Sequence, residues 1–270
     1  MSAASPFPRL FVRFVALPLL FIAGVQLFIL SEQTDVYFSW TISLPLTAAF
    51  LGAGYWAAMV VAYRNWWETP AVSARTTGLT SLAATGILGI ATFLHLDKFH
   101  LNDPAFLTRF VTWVWIIIYA GTPFLFLWIW FAFGRSKDET VGAKPFPAWV
   151  RYGNLFQAAV MIPAALILFL APASIIPAWP WELTPLTSRA VSAWFMAYGL
   201  ACVSITMENN TSNTQGARMS LFVFCILQVI ALWRYFPSFD LSKPLAWVYL
   251  LVLVVGVAVN APSLSAYGQK

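Results

Sequence analysis

Trp40-Thr41-Ile42-Ser43-Leu44-Pro45-Leu46-Thr47 leads into one apolar segment, and Trp181-Glu182-Leu183-Thr184-Pro185-Leu186-Thr187 leads into another about 140 residues later. Carried onward without gaps, the 140-residue offset sets Glu68 on Glu208, Phe99 on Phe239, Leu101 on Leu241 and Pro104 on Pro244. The repetition turns a series of hydrophobic segments into two related sets. It names no activity.

The solvent for those segments follows from composition. The chain of 270 residues is 60% hydrophobic and 9% charged, with mean hydropathy +0.76. A soluble domain carries roughly 25% charged residues, so lipid must solvate most of this surface. Eight segments are read as long enough to span a bilayer: 10–30, 41–63, 78–97, 106–133, 149–171, 188–206, 217–236 and 244–261. The runs are long and lack period-two alternation, which selects helices over a barrel. The fold class expected is therefore all-α, a polytopic membrane helix bundle of about eight transmembrane helices with a parallel 4+4 internal duplication. Arg9 and Arg13 before the first run imitate a signal peptide. The run is too long and has no Ala-x-Ala exit before Ser31-Glu32, so it reads as an uncleaved helix.

Counting Lys and Arg orients the bundle. One side holds Arg9, Arg13, Arg64, Arg75, Arg135, Lys137, Lys144, Arg151, Arg218 and Lys270; the other holds Lys98, Arg109, Arg189, Arg234 and Lys243. The richer side is expected in the cytoplasm with both termini, and the membrane expected is a bacterial inner membrane. Residues 1–134 form the first four-helix repeat, 135–147 a cytoplasmic linker and 148–270 the second repeat. An even number of helices per repeat gives both copies the same orientation, related by an axis along the membrane normal. The net charge of +5 falls in short loops, where it touches anionic lipid and sets topology rather than reading nucleic acid. The partners expected are membrane lipids and other membrane protein subunits.

Trp179-Pro180-Trp181-Glu182-Leu183-Thr184-Pro185-Leu186-Thr187-Ser188-Arg189, followed by an apolar helix, resembles a pattern in predicted bacterial multi-pass membrane proteins of unknown function. The resemblance covers about a dozen residues and the general helix layout. It implies no activity and transfers no functional residue.

Candidate sites are few. Trp40, Trp179 and Trp181 are expected at the outer head-group level as interface anchors, with Pro45 and Pro185 starting helices. The other reading of these entrances is an outward-facing site built from Asp35, Trp40, Trp181, Glu182 and Arg189. His95, Asp97 and His100 could supply three metal ligands if the chain unwinds there, or serve as interfacial polar residues. Gln26, Thr85, Gln157 and Gln228 are the polar residues expected near the midplane, Gln228 standing out in an otherwise apolar helix. Interhelical hydrogen bonding is one role for it and ligand contact the other. Cys202 and Cys225 lie in apolar segments and read as buried thiols. Small residues in the second and third helices imply close packing; Pro18, Pro123 and Pro163 are expected to kink the first, fourth and fifth. The Asn209-Asn210-Thr211-Ser212 sequons read as a cytoplasmic turn. With no midplane carboxylate and no nucleotide, hydrolase or metalloprotease motif, two functions lead, and a membrane enzyme comes third for want of an acid–base or metal constellation. One is a non-enzymatic accessory or scaffold protein, or a binder of lipid, quinone or pigment. The other is a small-solute transporter or channel with its path between the repeats.

Overall fold

The computed structural model describes residues 12–67, 77–133 and 145–261. Glu68, Arg9, Arg75, Lys270 and most of the 135–147 linker lie outside the described residues. Among the described residues the regular structure is helical, apart from one isolated pairing of Trp40 with Phe99.

Helix α1 runs through a π-helical turn, Val12–Ala16, an α-helical stretch, Leu17–Gly24, and a second π-helical turn, Val25–Ile29. It is followed by α2 (Pro45–Trp67), α3 (Leu79–Leu94) and α4 (Phe106–Phe133). Then come α5 (Ala148–Leu170), α6 (Pro185–Glu208), α7 (Gln215–Arg234) and α8 (Pro244–Asn260). All eight expected segments are helical, with ends displaced by a few residues. By length and composition, α2, α4, α5, α6 and α7 are long and apolar enough to cross a membrane. The helices over 13–29, 79–94 and 244–260 are shorter. The expected span 78–97 closes early because His95 leaves helical geometry (φ −132°), so α3 has 16 residues.

Local chemistry accounts for the helix starts. Pro185 follows Thr184, whose hydroxyl accepts from the Thr187 amide while the Thr187 hydroxyl accepts from the Thr184 amide. This reciprocal cap satisfies two otherwise orphaned donors. At Pro45 the first amides of α2 instead donate to the Leu44 carbonyl. Pro123 and Pro163 lie inside α4 and α5, and Pro18 at the start of the α-helical stretch of α1.

The bundle is organised around α2 and α6. Helix α2 packs on α1 and α7, and α6 packs on α5 and α3. The third helix of each half thus leans on the second helix of the other. Burial follows this order: 67% of the apolar window of α6 and 61% of that of α2 are buried, against 11% for α4. Gly52 is needed at the α1–α2 crossing because a Cβ there would stand 2.5 Å from the Phe28 amide nitrogen. Gly54 lies under the Trp194 ring, where a Cβ would come within 2.5 Å. Such close approach is the packing that small residues in membrane helices permit.

Candidate functional site: an aromatic seam and its polar rim

Trp40 and Trp181 do not anchor the protein at a lipid interface. Trp40, Trp179 and Trp181 are at most 3% exposed. The head-group expectation fails because the residues before each proline turn inward and form extended pairings. The His100 amide donates to the Ser39 carbonyl at 3.0 Å, and the Asp240 amide donates to the Pro180 carbonyl at 2.7 Å. Each pairing swings a tryptophan beneath a neighbouring phenylalanine. Trp40 meets Phe99 at 5.0 Å between centroids, and Trp181 meets Phe239 at 6.2 Å.

From these two points the rings run on through the interior. Trp40 packs edge-on to Trp115, Trp115 lies near Tyr55, and Tyr55 meets Trp194 at 5.0 Å. Trp194 stacks towards Tyr198, and Tyr198 lies 4.3 Å from Phe224. Phe224 meets Phe50, which contacts Trp181 and Phe195. The seam therefore crosses from one half to the other.

Its polar atoms are unevenly satisfied. Trp115 donates its indole N–H to the Thr92 hydroxyl at 2.9 Å, and Trp56 donates to the Phe21 carbonyl at 3.2 Å. Among the described residues the buried Nε1 atoms of Trp40, Trp179, Trp181 and Trp194 have no acceptor. A buried indole N–H ordinarily has a partner, and each orphan costs roughly 1–3 kcal/mol. All four belong to the seam, Trp179 through its contacts with Trp181 and Phe195. Tyr55 and Tyr119 satisfy one another through their hydroxyls. Gln228, 1% exposed, donates to the Phe50 carbonyl at 3.1 Å and accepts from the Tyr249 hydroxyl at 2.9 Å. It therefore joins α7 to α2 and α8. Gln157 is likewise buried and takes long contacts from Cys202 and Asn260; both cysteines are free. Thr85 bonds back within its own helix to Ser81.

A polar rim lies at the end of the bundle where α2 and α6 begin. Arg189 Nη1 donates to His95 Nε2 at 2.7 Å, and its Nε donates to the Phe169 carbonyl near the end of α5. Because guanidinium has no acceptor, Nε2 of His95 must carry the lone pair. Burial, and then the nearby Arg189 charge, hold the His95 pKa below the usual histidine value. Arg234 donates to the Phe28 carbonyl at 2.8 Å and lies 3.8 Å from Glu32. Asp35 and Glu182 are both exposed. The Glu182 backbone carbonyl accepts from Thr47 at 3.4 Å, a contact that joins the two entrances.

The histidines are engaged with the protein. His100 Nδ1 donates to the Phe38 carbonyl at 3.1 Å, and its Nε2 lies 3.0 Å from the Thr41 hydroxyl. Exposed Asp97 pairs with Lys98, whose hydrogen bond holds its carboxyl below the usual range. Among the described residues no three His, Cys, Asp or Glu are grouped to hold a metal ion. The sequence reading missed Trp194, Trp115 and Tyr55. Tryptophan and tyrosine at helical spacing in an apolar chain look the same whether they face lipid or core.

Comparison with family models, with curated proteins and with solved structures finds no match.

Proposed function

We propose that the chain is a non-enzymatic integral membrane protein, an accessory or scaffold component that binds a hydrophobic ligand carrying hydrogen-bond acceptors. A quinone or an acyl-ester lipid has that chemistry. The observation that carries the reading is the set of four buried indole donors on one aromatic seam, all without an acceptor among the described residues. A carbonyl-bearing apolar ligand would give these donors partners where the surroundings are otherwise ring faces.

The architecture belongs to the same proposal. Eight helices cross the membrane as two parallel four-helix repeats, with both termini in the cytoplasm of a bacterial cell. Equivalent backbone pairings at Ser39–His100 and Pro180–Asp240 support the duplication. So do the short helices Leu96–Lys98 and Phe236–Ser238, which are 140 positions apart. Phe50, Phe195, Phe224, Tyr198 and Trp194 pack together between the halves, which favours ligand binding over a solute path.

The reading is tested by native mass spectrometry of the full chain purified in mild detergent, with absorption spectra of its organic extract. A stoichiometric apolar adduct is expected. Trp181→Phe, which keeps a ring and removes the N–H, should lower its occupancy. A ligand-free protein, or an adduct indifferent to loss of all four indole N–H groups, contradicts the proposal.

A further inference from the structure

At the end of the bundle opposite the rim, α7 begins with a buried cation. Arg218 lies in the first turn of α7 and is 2% exposed. Its guanidinium sits over the Phe146 ring at 4.9 Å. Nη2 donates to the Ala261 carbonyl across a long 3.4 Å, and Nε has no hydrogen-bond partner. Phe146 is itself pinned by its amide, which donates to the Asn209 side chain at 3.1 Å.

Among the described residues no carboxylate pairs with Arg218. Glu208, at the end of α6, accepts from Asn213. The first turn of α7 contains no acid. Burying a guanidinium without a counter-charge is strongly unfavourable. The start of α7 adds the positive end of a helix dipole to the same place. Beside Ala261, Asn260 is 1% exposed and its Oδ1 has no donor. The place thus combines a cation with no carboxylate partner among the described residues, a helix N-terminus and an aromatic platform.

We propose that Arg218, on its Phe146 platform at the start of α7, binds a phosphoryl oxyanion. The planar guanidinium fork matches phosphate oxygens, as carbonyl contacts alone do not. The same chemistry is offered by an anionic phospholipid head group and by free phosphate. The proposal is independent of the ligand assigned to the aromatic seam.

The test uses the full chain, delipidated in detergent, then reconstituted in nanodiscs of phosphatidylglycerol or phosphatidylcholine, or titrated with inorganic phosphate. Thermal stability and native mass spectrometry are the readouts. A rise in melting temperature and a retained adduct with phosphatidylglycerol alone assign the head group; a rise with phosphate assigns the free anion. In either case R218Q should weaken binding by roughly tenfold to a hundredfold, the worth of a charge-assisted hydrogen bond. R218K, which keeps the charge and loses the fork, should fall between. If R218Q does not fold, R218K and the wild-type titration still decide the matter. Wild-type protein that responds to neither anion overturns the proposal, as does R218Q responding as wild type does. A response that appears only after Asp138 and Glu139 are both neutralised makes the counter-charge the chain's own, which also overturns it.

Discussion

In the first half of the chain the last carbonyls of α1 are capped by Arg234, an arginine from α7 in the other half. In the second half those of α5 are capped by Ser188 and Arg189, from the adjacent helix α6. The capped positions, Phe28 and Ile29 against Leu168 and Phe169, are 140 apart; the capping residues are not. A cation at a helix C-terminus meets the same dipole in both places. The interiors diverge further. Asn154, Gln157, Cys202 and Asn260 of the second half are buried. The residues 140 positions earlier are Phe14, Leu17, Ala62 and Ala120. The two halves therefore bury different polar groups: amides at Asn154, Gln157 and Asn260 in the second, hydroxyls at Thr92, Thr108 and Thr112 in the first.

The strongest break in the comparison should come where backbones touch. Gly52→Ala drives a Cβ into the Phe28 backbone, which cannot yield, whereas at Gly199 the nearest obstacle is the Ile162 side chain. Gly52→Ala should cost about 2–3 kcal/mol as overpacking, and Gly199→Ala about half of that. Gly86, with nothing near its Cβ direction, is the control; Gly86→Ala should be neutral or stabilising by up to about 1 kcal/mol. Melting in detergent measures all three, and equal losses at Gly52 and Gly86 would remove the α1–α2 crossing from the account.

Next come the two caps. Arg189→Ala removes the contacts to Phe169 and His95 together and should cost about 1–2 kcal/mol. Arg234→Ala should cost less, about 0.5–1 kcal/mol, because its side chain is 36% exposed. The reverse order would mean that α1 depends on its cap more than α5 does. Of the same order, Gln228→Leu breaks two bonds, to Phe50 and to Tyr249. Bonds of this kind average about 0.6 kcal/mol in membrane bundles, and unchanged stability would deny Gln228 its role in joining the halves.

The least effect is one of pH. The folded His95 pKa is depressed, so the folded state binds fewer protons than the unfolded chain. The His95 contribution is complete above the ordinary histidine pKa of about 6.5. It is lost as pH falls through the lower folded value, when the imidazolium faces Arg189. Asp97 and Lys98 flank the ring and their charges oppose one another there. His95→Gln, which retains an acceptor for Arg189, should flatten the stability profile just below pH 6.5; an unchanged profile assigns the slope to other groups.

How far the sequence reveals this structure varies by element. Apolar run length located all eight helices, because nothing but helix satisfies so long an apolar backbone in lipid. Their ends were less legible: α3 stops at Leu94, one residue before His95, through local dihedral geometry that composition does not encode. Trp40 and Trp181 carried the repeat signal but suggested the wrong surroundings. Whether a tryptophan near a helix start faces lipid or core depends on the pairings at Ser39–His100 and Pro180–Asp240, between residues about 60 apart. Arg218 looked like one of ten basic residues on a charged side. Only the packing of Phe146 and Ala261 against it reveals a buried cation.

In the proposed architecture two parallel halves interlock through α2 and α6. Impermeant thiol labelling of single-cysteine variants in intact cells tests it most directly, with Cys202 and Cys225 replaced. Glu32 and Ser174 follow the first helix of each half, Asp97 and Ser238 the third, and Tyr63 and Met207 lie near the far ends of α2 and α6. The account predicts that cysteines at 32, 174, 97 and 238 label from outside. Those at 63 and 207 should label only after the membrane is opened. Labelling of 32 and 174, or of 97 and 238, from opposite sides would contradict the parallel repeat.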